Sequence, residues 1–234
     1  MSETALSTPS TDKKGRIIDA LMELSGERVF ESISITDIAT RAGVSLADFR
    51  DSFPSKGAVL GAFNRRIDRI VLSGASDTLD GEPAKERLFE VLMRRLDAMA
   101  PFRSGMQGIA HWARREPLSA AALNRESLNS MRFMLEAAGI GADGMVGALK
   151  LQGLVIAFAR VLDVWFTDEE PAFPATLAAL DHELTRGEAM VGRAENLHRL
   201  TAPFRALAQA MIAAVYPDRP QTSDHQTGDP PASK

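Results

Sequence analysis

The sequence predicts an all-α protein in which an N-terminal three-helix headpiece precedes a larger C-terminal helical bundle, with about nine helices in total. Apolar residues recur at steps of three and four along the chain, as in Leu177, Leu180 and Leu184, which is the helical period. No segment shows the regular alternation of a half-buried strand. Breaks rich in proline or glycine, for example at Pro54 and at 139–144, separate the apolar repeats, and each break predicts a loop between helices.

The composition indicates a globular protein with a real core and no catalytic or metal chemistry. Of the 234 residues, 45% are hydrophobic and 25% are charged, the usual balance of soluble domains. The chain has no cysteine, which excludes disulfides, thiol nucleophiles and thiolate metal sites. His111, His182, His198 and His225 lack any zinc-binding spacing. We therefore expect no enzyme activity, no cofactor and no metal.

Two further segments contain patterns that resemble a nucleotide-binding motif and a membrane span. The glycines of 139–144 spell a dinucleotide-binding pattern, but the surroundings are helical and no strand precedes them. The leader 1–14 is polar, and the apolar stretch 145–166 contains Lys150 and Asp163, which a membrane span would bury at high cost. We expect a cytoplasmic protein without membrane insertion, in which 145–166 is a buried helix.

Each of two short helices near the N-terminus begins with a capping signal. Ser34 precedes Asp37 by three residues, and Ser45 precedes Asp48 by the same spacing. This spacing lets the serine hydroxyl accept from the third backbone N–H of the helix while the aspartate accepts from the serine N–H. Two capped helices are therefore predicted within the first domain, 12–74.

The residues between and around these caps predict a helix-turn-helix. Gly43 permits a left-handed turn, and Val44 and Phe49 can fill the angle between the two helices. Helices this short need neighbours to cover their apolar sides. The flanking segments supply the following apolar residues: Ile17, Ile18, Leu21, Leu24, Phe30, Val59, Leu60, Phe63 and Ile67.

The segment from Thr36 to Lys56 resembles the TetR family of bacterial transcriptional regulators. The residues that match the family pattern, besides Thr36, are Ile38, Ala39, Ala42, Gly43, Val44, Ser45, Phe53, Pro54, Ser55 and Lys56. The resemblance implies that Ser45–Ser52 is a recognition helix in the major groove of operator DNA, with Thr36 and Lys56 on phosphates. The implied DNA-contacting residues are Thr36, Ser45, Leu46, Ala47, Asp48, Arg50 and Lys56.

The recognition helix also departs from the family pattern. Arg50 and Ser52 stand where the family usually has tyrosine followed by histidine or tyrosine, and Arg50 can still bind a phosphate or a guanine edge. Asp51 adds negative charge near the phosphates, and Leu46 replaces what is often a polar contact. DNA binding is therefore expected. The alternative is that the helix-turn-helix is only a structural scaffold.

The second domain, 83–216, is expected to bind a small apolar effector and to form a homodimer, as the resemblance implies. Aromatic and methionine side chains line adaptable pockets, although such residues more often belong to the core. The candidate pocket residues are Phe102, Met106, Trp112, Phe133, Phe158 and Trp165, with Met134 and Phe166 beside them.

A row of apolar residues near the C-terminus can pack against another helix. It alternates steps of three and four and consists of Leu197, Leu200, Phe204, Leu207 and Met211. With the helix at 145–166 it is a candidate dimer interface, and an intrachain core is the alternative. The tail 217–234 is polar and proline-rich, and we expect it to be disordered.

Two functions remain open. The first is a repressor that a ligand releases from a palindromic operator. The second is a lipid-binding accessory protein with no DNA function, because part of the C-terminal domain resembles the TetR-fold proteins of ubiquinone biosynthesis. That second resemblance rests on Trp165, Asp168, Thr176, Leu180 and Asp181.

Overall fold

A computed structural model describes residues 12–74 and 81–193, which are helical with short turns and contain no strand. The α-helices are α1 (Lys13–Glu27), α2 (Ile35–Ala42), α3 (Leu46–Ser52), α4 (Lys56–Ser73), α5 (Ala84–Met99), α6 (Arg103–Ala113), α7 (Pro117–Ala137), α8 (Gly144–Trp165) and α9 (174–193). The predicted all-α class is confirmed. Residues 1–11 of the polar leader, the apolar row from Leu197 to Met211 and the tail 217–234 lie outside the described residues. The last two residues of the leader 1–14, Lys13 and Lys14, belong to α1.

Helices α1–α4, which we call the headpiece, enclose a shared apolar core. α1 packs against α2, α3 and α4, so each short helix buries its apolar side against a longer one, as expected for helices that are unstable alone. Side chains in this core include Ile17, Leu21, Phe30, Ile38, Phe49, Phe53, Val59, Phe63 and Ile67.

α1 also packs closely against α6, and two glycines make this approach possible. A Cβ atom on Gly105 would lie 2.2 Å from the backbone oxygen of Met22, and one on Gly108 would lie 2.1 Å from that of Ser25. No side chain fits at either distance. The contact between these helices therefore depends on glycine at two positions one turn apart.

Four other helices pack against α7, namely α4, α5, α6 and α8. The start of α9 is fixed by Asp168, whose carboxylate accepts hydrogen bonds from the backbone and hydroxyl of Thr176, each 2.8 Å long. Burial acts to raise the pKa of Asp168, but these bonds, a backbone N–H from Glu170 and the charge of Arg103 lower it overall. Asp181 pairs with Lys85 at 2.6 Å, tying α9 to α5.

α8 is mostly apolar in composition but is buried on only one side. Leu151, Leu154 and Phe158 face the protein, whereas Met145 and Leu149 are exposed. The expectation of a buried helix at 145–166 is therefore corrected, because neighbouring helices cover one stripe of α8 only. By length and composition α8 could cross a membrane, with a mean hydropathy of 1.6. This is weak evidence, since core helices of soluble proteins pass the same test.

Candidate DNA interface and interior pocket

Both predicted capping boxes are present. Ser34 Oγ accepts from the Asp37 N–H at 3.0 Å, and Asp37 Oδ2 accepts from the Ser34 N–H at 2.9 Å. Ser45 Oγ accepts from the Asp48 N–H at 3.0 Å, and Asp48 Oδ2 accepts from the Ser45 N–H at 3.4 Å. The starts of α2 and α3 are thus fixed by local sequence, independently of the core.

The turn between α2 and α3 also has the predicted geometry. Gly43 adopts φ 63° and ψ 43°, the left-handed conformation that favours glycine. Nothing lies within 4 Å of the position a Cβ would occupy, so glycine is needed here for its backbone freedom alone. Phe49 is buried and Val44 is half-buried between the helices. The helix-turn-helix prediction is confirmed.

The outward face of α3 holds most of the residues implied by the resemblance. Leu46, Ala47 and Arg50 are exposed, as is Asp51, and Asp48 is half-buried; Thr36 and Ser45 are exposed too. Leu46, the first residue of α3, is 54% exposed. Within residues 12–74 and 81–193, Arg50 forms no ion pair or side-chain hydrogen bond, and neither does Asp51.

Asp48 is neutralised by a residue that sequence reasoning did not single out. Lys13 Nζ, in the first turn of α1, lies 2.6 Å from Asp48 Oδ1. The hydrogen bond from Lys13, followed by those from Ser45, lowers the pKa of Asp48. Lys13 therefore brings a positive charge to the side of α3 where DNA binding was expected, and Lys14, the next residue in α1, is exposed. No local sequence pattern predicted the pairing of Lys13 with Asp48, because the two residues lie on different helices.

Lys56 is placed differently from the phosphate contact that the resemblance implies. Its Nζ donates to the carbonyls of Ile33 at 2.7 Å and Phe30 at 3.1 Å, and it lies 4.7 Å from the centre of the Phe30 ring. Burial lowers the pKa of Lys56. The ammonium thus holds the turn before α2. Ser55 caps α4 by accepting from the Ala58 N–H, which leaves the earlier N–H groups of α4 as anion donors.

A partly open pocket of about 370 Å³ lies among helices α4–α8. Its volume is within the range of small-molecule sites, roughly 300–1,000 Å³. Most of its wall is apolar, including the side chains of Phe63, Met99, Met106, Ile109, Met131 and Phe158. Met106 and Phe158 are the two of the six candidate pocket residues that line it, and Phe166 lines it as well.

The other four candidates lie elsewhere and are corrected here. Phe102 packs edge-on against Phe63 at 5.2 Å, behind the pocket wall. Trp112 stacks on Phe30 at 4.3 Å, Trp165 is buried core, and Phe133 is 52% exposed. The helix face on which an aromatic residue lies decides whether its side chain reaches the pocket, the core or solvent. Composition alone does not predict that face.

A buried arginine that sequence reasoning missed also lines the pocket. Arg95 is 3% exposed, and its Nη1 lies 2.5 Å from Oδ1 of Asp68. Ser130 Oγ donates to the same oxygen at 2.5 Å, so three helices meet at one carboxylate. Burial lowers the pKa of the Arg95 guanidinium, and Asp68 opposes that shift. The clue in the sequence was a charge within the apolar stripe formed by Leu92, Leu96 and their neighbours on α5.

Comparisons with known proteins identify the fold. Neither a protein-family model nor a curated protein matches the chain. A solved TetR transcriptional regulator from Nitrosomonas europaea ATCC 19718 is similar, with a TM-score of 0.60 and 23% identity over 76% of this chain and 98% of its own. A TetR transcriptional regulator from Rhodococcus sp. RHA1 has a TM-score of 0.55 and 19% identity, over 75% of this chain and 94% of its own. The chain therefore has the predicted fold, a helix-turn-helix followed by a helical domain.

Proposed function

We propose that the chain is a transcriptional repressor that binds a palindromic operator as a homodimer and is released by a small apolar ligand. The observation that carries the proposal is the exposed face of α3. There both helix starts are capped, Arg50 is unengaged among the described residues, and Lys13 offsets the charge of Asp48. The two solved structures of similar fold are named as transcriptional regulators.

The charge of this face supports DNA binding. Lys13, Lys14 and Arg50 bring three positive charges against two from Asp48 and Asp51. Contacts to phosphates position such a helix, and side chains at base edges select the sequence. Arg50 is the side chain best suited to a guanine edge, and Lys14 and the start of α4 are suited to phosphates.

A ligand in the pocket could affect the proposed DNA-binding face through α4, because α4 lines the pocket and is also part of the headpiece. α4 begins directly after α3, and further along it Leu60, Phe63 and Asn64 line the pocket. A ligand that binds more tightly when α4 is in one position than in another shifts the equilibrium between those positions. The size of the shift is set by the difference in binding free energy, and the headpiece, which includes α4, shifts with it. We propose a division into a DNA-binding part, 12–74, and a ligand-binding and dimerisation part, 83–216.

The exposed stripe of α8 is the proposed dimer interface. Met145, Leu149 and Ile156 are exposed by 81%, 51% and 45%, and their spacing puts them along one side of the helix. A second copy of the chain would cover this stripe and would give the two headpieces needed for half-sites about 34 Å apart. We also propose that this regulator acts in the cytoplasm and has no enzymatic activity.

Fluorescence anisotropy with DNA tests the function directly. Random-site selection followed by titration of the selected duplex, at two salt concentrations, should give sequence-preferring binding that weakens with salt. A scrambled duplex of equal composition is the control. Selection that yields no preferred sequence would refute the regulator.

The second candidate is a lipid-binding accessory protein without DNA function. Asp51, exposed on α3 and without a described ion-pair partner, and the exposed apolar stripe of α8 favour it. The residues behind that resemblance have structural roles here, however, since Asp168 and Thr176 start α9 and Asp181 pairs with Lys85. Mass spectrometry of lipid extracted from the purified protein distinguishes this candidate if DNA selection fails.

A further inference from the structure

Asp51 is an exposed carboxylate on α3 that takes no part in holding the headpiece together. It forms no ion pair or side-chain hydrogen bond within residues 12–74 and 81–193. Asp48, the other acidic residue of α3, caps the helix and pairs with Lys13 at 2.6 Å. One acidic side chain of α3 is therefore engaged in the fold, and the other has no described partner.

The position of Asp51 is unfavourable for a carboxylate. It lies in the last turn of α3, which ends at Ser52. The C-terminal end of a helix carries partial negative charge, so a carboxylate there is repelled. Phosphates would also repel it when α3 lies in a groove of DNA. A favourable contact for Asp51 must therefore come from hydrogen-bond donors on the bases.

Asp51 is placed on the face of α3 that can reach base edges. Residues two apart on a helix project about 200° from each other, so Asp51 lies opposite the buried Phe49. Ala47, one turn earlier in the same row, is exposed and has only a methyl side chain, which leaves the carboxylate uncovered. Arg50 is adjacent but projects about 100° away, and the two side chains would reach different bases.

The chemistry of the major groove favours one base for a carboxylate. A carboxylate only accepts hydrogen bonds. Guanine presents two acceptors, thymine presents one acceptor and a methyl group, and adenine presents its N6 donor beside the acceptor N7. Cytosine presents the N4 amino group as its hydrogen-bonding group. It is therefore the base that satisfies a carboxylate without setting an acceptor against it.

We propose that Asp51 is a specificity-determining residue, which selects a cytosine in each half-site of the operator by accepting a hydrogen bond from its N4 amino group. This inference rests on the proposed DNA-binding function and deepens it, because it assigns one base of the operator to a named side chain. The guanine suited to Arg50 lies at a different position of the half-site. Asp51 also acts by repulsion, since it disfavours duplexes in which an acceptor replaces that amino group.

Replacement of single base pairs in the selected duplex tests the proposal. Random-site selection with the full-length protein gives the half-site, and each base pair is then changed in turn and titrated by fluorescence anisotropy. At one position of each half-site, any base other than cytosine should weaken binding about tenfold. In Asp51→Ala this preference should disappear, whereas the preferences at all other positions should persist. Unchanged preferences in Asp51→Ala, or a loss that falls on a base other than cytosine, would overturn the proposal.

Asp51→Asn should change the preferred base. An asparagine amide both donates and accepts, which matches N7 and N6 of adenine, so the same position should now prefer adenine. Continued preference for cytosine in this variant would contradict a hydrogen bond to the carboxylate. Thermal unfolding should show that both variants are at least as stable as the wild type, because each removes a negative charge from the end of a helix.

Asp97→Ala is the matched control for charge. It removes the same charge from an exposed residue of α5, outside the headpiece, and every base preference should remain. Loss of the cytosine preference in this control would assign the effect to net charge and refute the role of Asp51.

The same experiment separates this proposal from the proposed function. If the wild-type protein selects no sequence, the regulator is refuted and the role of Asp51 with it. If the wild type selects a sequence and both Asp51 variants keep its base preferences, the DNA-binding function stands and the role of Asp51 alone is refuted.

Discussion

At the scale of single residues, charges on α2 and α3 are balanced by partners distant in sequence. Lys13 of α1 compensates Asp48 of α3, and Arg41 binds Glu27 through two nitrogens at 2.7 Å. These hydrogen bonds lower the pKa of Glu27 and raise that of Arg41. Among the residues proposed to contact DNA, Arg50 is an exposed cation without a described partner.

Arg50→Ala should weaken binding to the selected duplex by about tenfold or more, because a bidentate arginine–guanine contact contributes roughly 1–3 kcal/mol. The thermal midpoint should not change, since Arg50 is exposed and has no described partner. Arg69→Ala is the matched control, as it removes an exposed arginine from α4. Anisotropy titration measures both variants. Unchanged affinity in Arg50→Ala would exclude Arg50 from the contacts.

Asp48 should give the headpiece an acid-dependent contribution to stability. Its pKa is lowered in the folded protein by Lys13 and Ser45, so its stabilising effect is present above the unfolded pKa, about 3.9. That effect is lost as the pH falls through the folded pKa. Urea unfolding of wild type and Asp48→Asn should differ at pH 7 and converge in acid. A difference that stays constant with pH would contradict the Lys13 ion pair.

At the scale of elements, the packing of α1 on α6 is the most demanding contact. Backbone approaches backbone at Gly105 and Gly108, so any side chain there must push the helices apart. The headpiece and the pocket helices are joined at this contact, since α6 also supplies Met106 and Ile109 to the pocket.

Gly105→Ala should destabilise the protein by about 1–3 kcal/mol, the usual cost of overpacking, because its Cβ would lie 2.2 Å from a backbone oxygen. Gly187→Ala is the control. It lies in α9 with nothing within 4 Å of its Cβ position, so it should be neutral or slightly stabilising. Chemical denaturation measures both. Equal effects of the two changes would contradict the close packing of α1 and α6.

At the scale of the whole molecule, the exposed stripe of α8 is the proposed route to two headpieces on one operator. An exposed apolar stripe on a soluble protein usually marks an interaction surface. A second copy would bury it and fix the spacing of the headpieces, and a ligand acting through α4 could then change that spacing.

Leu149→Glu should convert a dimer to a monomer and reduce operator affinity by more than about tenfold, because a charge in a buried apolar interface is strongly unfavourable. Ile70→Glu alters an exposed apolar residue on α4 and should leave the dimer intact. Sedimentation velocity reports the state of each variant. A monomeric wild type, or an unchanged dimer in Leu149→Glu, would contradict the proposal that α8 forms the dimer interface.

By itself, the sequence determined the features that depend on neighbours along the chain. The capping boxes at Ser34 and Ser45, the left-handed turn at Gly43 and the helical period are local, since they require side chains and backbone only three or four residues apart. The all-α class and the helix-turn-helix followed from them.

Only the tertiary structure decided which distant residues meet. The pairing of Lys13 with Asp48, the inward turn of Lys56, the meeting of Arg95 and Asp68, and the placement of Phe158 but not Trp165 in the pocket each depend on the rotation and crossing of helices. Helix phase and crossing are set by the packing of whole faces against one another. Composition and period fix the existence of an apolar face, but the partner of that face is decided only when the chain is folded.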